Sequence, residues 1–167
     1  MDEELDRLAH RLGTLLSGHR FMLATAESCT GGGIAAAVTS VPGSSAWFER
    51  GFVTYSNAAK RDMLGVQEAT LLAHGAVSEA VVREMVAGAL QHSAGQVAVA
   101  VSGIAGPDGG TPDKPVGMVC LAWAGAGLPM RSETRQFHGD RAAVRRQAVV
   151  AALDGVIELV GQRRGKL

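Results

Sequence analysis

Residues 97–104, Val-Ala-Val-Ala-Val-Ser-Gly-Ile, form the apolar run that most constrains how this chain can fold. The run carries no charged side chain, and Ser102 near its end supplies its one hydroxyl. A strand that is apolar on both faces is typical of the interior of a sheet that helices cover on both sides. The run therefore predicts an α/β fold.

The rest of the chain divides into strands and helices that suit such a sheet. Leucines at positions 5, 8, 12 and 15 predict a first helix that ends near residues 17–18. The other predicted strands are residues 21–26, 48–55 with Gly51 as a bulge, 116–124 and 130–137, the last two joined by a turn at 125–129. The other predicted helices are residues 34–38, 57–63 capped by Asn57, 67–73, one capped by Ser78 and a final one capped by Asp140. We expect a single domain over residues 1–167, an α-β-α layered fold with a mixed β-sheet and helices on both faces.

Length and charge narrow the class of protein. The 167 residues carry 16 basic and 16 acidic side chains, so the formal net charge is zero. Proteins that bind nucleic acid usually have a basic surplus, and we therefore expect no nucleic-acid partner. The acidic N-terminus does not resemble a signal peptide, and no apolar run approaches the ~20 residues that span a bilayer. We expect a cytoplasmic protein without membrane association.

Cysteine and histidine patterns give no sign of a metal site. Cys29 and Cys120 are far apart and form no CxxC pair, which is consistent with reduced thiols. The five histidines show no pair at metal-ligand spacing, and no carboxylate cluster suggests a Mg²⁺ or Ca²⁺ site. The sequence predicts no metal and no cofactor.

Two glycine-rich loops, residues 27–33 and 103–110, follow predicted strands. In the first, Gly31, Gly32 and Gly33 would let an anion such as a phosphate approach the backbone, with Ser28 and Thr30 as hydroxyl donors. Ligands of open α/β sheets bind beyond the carboxyl ends of the strands, so both loops could line one crevice. The alternative is structural: a tight turn before a helix in one loop and a flexible surface loop in the other.

The stretch from residue 42 to residue 60 contains the groups of a serine–lysine dyad. Ser45 could attack a carbonyl carbon while Lys60 takes its proton, and Tyr55 could relay a proton or hold the lysine. Lysine must have a lowered pKa for this role, which burial or a neighbouring cation provides. Ser28, beside Glu27, is a competing nucleophile, and Cys29 is another. An exposed helical lysine and ordinary turn serines remain the alternative interpretation.

Arg141 and Arg145 are four residues apart on the last predicted helix and therefore share a face. Together they could contact a phosphate or a partner subunit. A solvated basic stripe explains the same spacing.

Several motifs in series resemble the CinA C-terminal domain family. They are Ala-Glu-Ser-Cys-Thr-Gly-Gly at 26–32, Gly-Ser-Ser-Ala-Trp-Phe-Glu-Arg-Gly-Phe-Val-Thr-Tyr-Ser-Asn at 43–57, Leu-Gly-Val at 64–66, His-Gly-Ala-Val-Ser-Glu at 74–79, Ser-Gly-Ile-Ala-Gly-Pro-Asp-Gly-Gly at 102–110, Lys-Pro-Val-Gly at 114–117 and Phe-His-Gly-Asp-Arg-Ala-Ala-Val-Arg at 137–145. The resemblance covers nearly the whole chain in the right order. Within the family, the chain is similar to the stand-alone nicotinamide-nucleotide amidohydrolases.

The resemblance implies a homo-oligomeric serine amidohydrolase of pyridine-nucleotide (NAD) salvage. Its substrate would be nicotinamide mononucleotide, converted to nicotinate mononucleotide and ammonia by a Ser/Lys dyad. On the matching positions, Lys60 would be the base, Ser45 or Ser28 the nucleophile and Tyr55 an assisting group. The expected pocket residues are Thr30, Gly31, Gly32, Asn57, Ser102, Gly106 and Arg141, with an N–H near Gly106 or the Ser102 hydroxyl stabilising the oxyanion. The alternative is a nucleotide-binding module without catalysis in a competence- or DNA-damage-linked response.

Overall fold

A mixed five-stranded sheet forms the centre of the molecule. The computed structural model describes residues 2–164, without the side chains of residues 163 and 164. The strands are β1 (Leu23–Glu27), β2 (Phe48–Val53), β3 (Val97–Gly103), β4 (Met118–Gly125) and β5 (Leu128–Gln136). Their order in the sheet is β2-β1-β3-β4-β5. β1 pairs in parallel with β2 and β3, whereas the β3–β4 and β4–β5 pairs are antiparallel.

Helices cover both faces of this sheet. They are α1 (Glu3–His19), α2 (Gly33–Thr39), α3 (Asn57–Leu64), α4 (Glu68–His74), α5 (Glu79–Gln91) and α6 (Arg141–Arg164). Side chains of α1, α2 and α6 form the core on one face, and those of α3, α4 and α5 form the core on the other. This is the predicted α-β-α layered fold. Over residues 2–164, no helix has both the length and the apolar character needed to cross a membrane.

The apolar run that predicted this architecture is the central strand β3. Val97, Val99 and Val101 belong to the core under α1, α2 and α6. Ala98 and Ala100 belong to the core under α3, α4 and α5. All five side chains are fully buried, because successive residues of a strand point to opposite faces and both faces are covered.

Two of the predicted helix caps are confirmed and one is wrong. The Ser78 hydroxyl accepts a hydrogen bond from Val81 N–H at 3.2 Å, and Asp140 Oδ1 accepts from Ala143 N–H at 2.9 Å. For α3, the cap is Ser56 and not Asn57. Ser56 has the extended backbone of a capping residue, so Asn57 becomes the first, exposed residue of the helix.

Gly51 does not form the bulge expected in β2. It pairs with Thr25, and the register irregularity lies earlier, where Leu23 pairs with Phe48 and Ala24 pairs with Arg50. A Cβ on Gly51 would lie 2.6 Å from Thr25 Oγ1. The glycine is needed there because the neighbouring strand's hydroxyl occupies the space of a side chain.

A close contact between two helices sets the position of α3. A Cβ on Gly88 of α5 would lie 2.0 Å from the carbonyl oxygen of Leu64, at the end of α3. The backbone of Leu64 cannot yield as a flexible side chain would, so any larger residue at position 88 must push the two helices apart. The height of α3 above the sheet therefore depends on this glycine.

We predict that Gly88→Ala lowers the free energy of unfolding by about 1–3 kcal/mol, the usual cost of overpacking. The matched control is Gly18→Ala in α1, where a Cβ would meet nothing within 4 Å. That substitution should leave stability unchanged or raise it by up to about 1 kcal/mol, because alanine favours helix more than glycine does. Urea unfolding followed by circular dichroism measures both, and equal stabilities would contradict the prediction.

Candidate active site

The carboxyl ends of three neighbouring strands meet at one edge of the sheet. β1, β2 and β3 run in the same direction, so the residues that follow them lie side by side. Ser28 follows β1 and donates its N–H to Val101 O at 3.0 Å. Thr54 follows β2 and donates its N–H to Glu27 O at 2.8 Å. This is the edge where ligands of α/β sheets bind.

A buried lysine contacts the serine at this edge. Lys60, in the first turn of α3, is only 1% exposed. Its Nζ lies 3.0 Å from Ser28 Oγ, and it donates to Thr54 O at 2.8 Å and to Tyr55 O at 3.5 Å. Across residues 2–164, no carboxylate forms an ion pair with Lys60. Sequence spacing did not indicate this contact, since 32 positions separate the two side chains.

Burial lowers the pKa of Lys60 from its ordinary value, because an ammonium loses hydration inside the protein. The charge that Cys29 carries when it is ionised acts in the opposite direction, and it is the smaller of the two causes. A lysine with a lowered pKa can hold an uncharged amine, which is the form that accepts a proton from a hydroxyl.

The expected pairing of Ser45 with Lys60 is wrong. Ser45 lies in a short 3₁₀ turn, residues 44–46, and its side chain is exposed. That turn precedes β2, whereas Lys60 follows it. The six residues of β2 carry the chain across the sheet, and a strand of that length spans roughly 20 Å. The two residues therefore sit at opposite edges, and Ser28 takes the place next to the amine.

The glycines of the first loop serve backbone conformation and packing. Gly31 and Gly32 have φ values of 57° and 102°, which favour glycine. A Cβ on Gly33 would lie 3.2 Å from Val149 of α6. Within the turn, Gly31 N–H donates to Ser28 O and Gly33 N–H donates to Thr30 O. Two of the three glycine N–H groups expected to receive a phosphate are thus already used.

Glu27 is a site residue that the sequence did not single out beyond its position beside Ser28. Its side chain is 1% exposed and its carboxylate accepts three hydrogen bonds. Oε1 accepts from Thr30 Oγ1 at 2.5 Å and from Ile34 N–H at 2.8 Å, and Oε2 accepts from Ala35 N–H at 3.0 Å. The carboxylate therefore ties the turn after Ser28 to the start of α2. Thr30, an expected donor to substrate, uses its hydroxyl for this purpose.

Two arginines of α6 reach the two glycine loops. Arg145 donates from Nε to Cys29 O and from Nη2 to Thr30 O, both at 3.1 Å. Arg141 donates from Nη1 to Gly106 O at 2.8 Å and from Nη2 to the Tyr55 hydroxyl at 3.2 Å. Their spacing put them on one helix face, but only the fold shows that they contact different loops.

The remaining expected residues lie around this edge in different environments. The Tyr55 side chain is 63% exposed and bonded to Arg141, so only its backbone carbonyl meets Lys60. Ser102 is buried near the end of β3, and Asn57 is exposed at the start of α3. Gly106 is buried with φ of 83°, and a Cβ there would lie 2.4 Å from Val116 Cγ1.

Cys29, the third candidate nucleophile, does not have the chemistry of a reactive thiol. Its side chain is buried, and burial raises its pKa to about 11. At neutral pH it is therefore a protonated thiol, whereas the nucleophile in thiol chemistry is the thiolate. Of the three candidates, Ser28 alone is in contact with a group that can take its proton.

The lowered pKa of Lys60 predicts how stability changes with pH. The folded protein binds this proton less tightly than the unfolded chain, whose lysine titrates near pH ~10.4. Stability relative to Lys60→Met should therefore rise as pH increases from the lowered pKa to about 10, and stay constant below that pKa. Urea unfolding of both proteins between about pH 6 and about pH 10 tests this, and a pH-independent difference between them would contradict it.

Comparison with known proteins places the chain in a family. The model of the CinA C-terminal domain family matches residues 5–160. Nicotinamide-nucleotide amidohydrolase PncC of Pseudomonas putida is 60% identical over 157 residues, 94% of this chain and 98% of that protein. Nicotinamide-nucleotide amidohydrolase PncC of Escherichia coli (strain K12) is 55% identical over 152 residues, 91% of this chain and 92% of that protein. The crystal structure of competence/damage inducible protein CihA from Agrobacterium tumefaciens is similar with a TM-score of 0.92 and 46% identity, over 95% of this chain and 97% of that one. The chain belongs to the CinA C-terminal domain family.

Proposed function

We propose that this protein is a nicotinamide-nucleotide amidohydrolase that converts nicotinamide mononucleotide to nicotinate mononucleotide and ammonia, a step of pyridine-nucleotide salvage. The observation that carries the proposal is the buried Lys60 amine, 3.0 Å from the Ser28 hydroxyl. The pair occurs in a chain that is 60% identical to a nicotinamide-nucleotide amidohydrolase over nearly its full length. An amine and a hydroxyl in this arrangement support acyl transfer from a carboxamide.

The hydrogen bonds around Lys60 suit the role of a general base. A neutral amine has two N–H groups and one lone pair. Thr54 O, at 2.8 Å, and Tyr55 O, at 3.5 Å, can take the two N–H groups, which leaves the lone pair for the Ser28 hydroxyl. Lys60 then accepts the Ser28 proton as Oγ forms a bond to the carboxamide carbon. The C–N bond breaks, and the Lys60 ammonium returns the proton to the departing ammonia.

Hydrolysis of the acyl-serine uses the same two groups. A water molecule attacks the ester carbon while Lys60 takes one of its protons. The Ser28 oxygen leaves and recovers a proton from Lys60, and the carboxylic acid departs. One base therefore serves both half-reactions, as microscopic reversibility allows.

Arg141 is the arginine available to the substrate phosphate. Arg145 already donates to two backbone carbonyls. Arg141 is exposed, and its partners are the Gly106 carbonyl and the hydroxyl of the exposed Tyr55. A phosphate is a stronger acceptor for guanidinium than either of these groups. Asn57 is exposed at the start of α3, two residues after Tyr55, and we include it among the residues that would contact the substrate.

A nucleotide-binding module without catalysis is the alternative function, and the environment of Lys60 argues against it. Removing an ammonium from water without a paired carboxylate is costly, by several kcal/mol in real proteins. A module that only binds a nucleotide would gain nothing from placing that amine against a hydroxyl. A general base needs both features.

We expect Ser28→Ala to lower the rate of ammonia release from nicotinamide mononucleotide at least about a thousand-fold, because the nucleophile is lost. Ser45→Ala is the matched control and should retain the wild-type rate, since Ser45 is exposed at the opposite edge of the sheet. A coupled assay for ammonia measures both. Loss of activity in the Ser45 variant alone would refute the assignment, and a wild-type protein that binds the mononucleotide without releasing ammonia would favour the binding module.

For Arg141→Gln we expect KM for nicotinamide mononucleotide to rise about 10- to 100-fold with little change in kcat, because a charged hydrogen bond to phosphate contributes about 1.5–3 kcal/mol. Arg50→Gln is the control, since Arg50 bonds Glu49 and the His92 carbonyl away from the site. Steady-state kinetics should show the wild-type KM for that variant. An unchanged KM in Arg141→Gln would exclude a phosphate contact.

A further inference from the structure

We infer that the backbone N–H of Thr30 is the oxyanion donor of this site and that Arg145 is the positioning residue that aims it. The inference rests on the proposed acyl transfer at Ser28. It replaces the expectation from sequence that this donor lies in the second glycine loop, near Gly106 or Ser102. The observations that carry it are the hydrogen bonds of the turn between Ser28 and Gly33.

The two contacts of Arg145 fix the orientation of one peptide plane. Arg145 Nε donates to Cys29 O at 3.1 Å, and that oxygen belongs to the peptide unit that also contains Thr30 N–H. In a trans peptide, C=O and N–H point in opposite directions. Holding Cys29 O against the guanidinium therefore turns Thr30 N–H away from Arg145. In the second contact, Arg145 Nη2 donates to Thr30 O at 3.1 Å. It holds the next peptide unit as well, so the Cys29–Thr30 peptide plane cannot rotate independently of the Thr30–Gly31 plane.

The direction of the Thr30 N–H follows from the faces of the sheet on which Arg145 and Lys60 lie. Arg145 belongs to α6, which packs on one face, and Lys60 belongs to α3, which packs on the other. Ser28 Oγ faces Lys60. A donor that points away from α6 therefore points towards the side of the sheet edge where Ser28 and Lys60 meet.

The Thr30 N–H is also available to donate a hydrogen bond to a ligand. Its neighbours are used inside the turn, because Gly31 N–H donates to Ser28 O and Gly33 N–H donates to Thr30 O. Among the described residues of the chain, no acceptor bonds Thr30 N–H. An unpaired N–H two residues after the nucleophile, in a turn held by a buried carboxylate, is preorganised for a charge that develops only during the reaction.

In the second glycine loop, an arginine also holds a carbonyl group, but the peptide unit that contains this carbonyl has no N–H to donate. Arg141 holds Gly106 O at 2.8 Å, so it also orients a peptide plane. The residue that follows is Pro107, and proline has no N–H. The two arginines make similar contacts with carbonyl groups, but only the contact of Arg145 leaves an N–H on the other side of the peptide.

Acyl transfer at Ser28 develops a negative charge on the carboxamide oxygen, and Thr30 N–H can donate a hydrogen bond to that oxygen. As Ser28 Oγ bonds to the carboxamide carbon, the π electrons of the C=O bond move onto its oxygen and the serine proton moves to Lys60. The resulting oxyanion accepts the hydrogen bond from Thr30 N–H. When the C–N bond breaks, the electron pair returns and C=O forms again.

The test compares Arg145→Met with Arg146→Met on the wild-type background. Arg146 is the next residue of α6, and it bonds Asp2 and Glu4 on the surface. Removing an oxyanion donor costs about 10²–10³ in kcat, so we expect Arg145→Met to lose kcat by that factor with KM within a few-fold of wild type. Arg146→Met should keep both constants. Arg145→Lys, which can still reach one carbonyl, should recover part of the loss.

A binding measurement separates positioning from mere structural support. In the aldehyde analogue of the substrate, pyridine-3-carbaldehyde mononucleotide, the carbonyl carbon can be attacked by Ser28 Oγ to form a tetrahedral oxyanion. Nicotinate mononucleotide cannot form this adduct. Arg145→Met should weaken binding of the aldehyde about 10- to 100-fold and leave binding of nicotinate mononucleotide within a few-fold. Equal losses for both ligands, or an unchanged kcat, would overturn the inference.

A direct variant covers the case in which Arg145→Met does not fold. Replacing the Cys29–Thr30 peptide bond with an ester removes the N–H and keeps every side chain, and it should lower kcat without changing KM. A wild-type rate in the ester protein would refute the inference while the proposed function stands. A wild-type protein that releases no ammonia from nicotinamide mononucleotide would refute the proposed function and this inference with it.

Discussion

The contact between the Lys60 amine and the Ser28 hydroxyl, inside the protein and without a carboxylate partner, is the interaction on which the rest of the site depends. A buried ammonium is unfavourable, so the surroundings lower the pKa of Lys60 and thereby favour its uncharged form. The carbonyls of Thr54 and Tyr55 orient that amine. They can do so because β2 ends beside β1, which brings their backbone next to Ser28.

The turn after Ser28 is held from two sides by charged groups that do not take part in proton transfer. The Glu27 carboxylate accepts three hydrogen bonds from within the turn and the first residues of α2. The Arg145 guanidinium holds two carbonyls of the same turn from α6. For the proposed role of Ser28 as nucleophile such restraints matter, because small displacements of a reacting atom reduce the rate strongly.

Glycine in the first loop has a physical explanation that does not require a ligand. Gly31 and Gly32 adopt backbone conformations that other residues rarely adopt, and Gly33 lies against Val149 of α6. The turn therefore bends sharply and lets α6 approach it closely. That approach allows Arg145 to reach Cys29 and Thr30, so the glycines support the geometry of the turn through packing.

Sequence alone determined the layered fold, the central strand and most helix boundaries, because hydrophobic periodicity and capping residues act over a few neighbouring positions. It also identified Lys60, and Ser28 as one of several candidates. Only the tertiary structure decided which serine meets the amine. Ser45 is closer to Lys60 in sequence, but β2 carries the chain across the sheet between them, while the parallel pairing of β1 with β2 brings Ser28 to Lys60. The roles of Glu27 and Arg145 were likewise decided by the fold, since each depends on hydrogen bonds whose direction no local sequence pattern specifies.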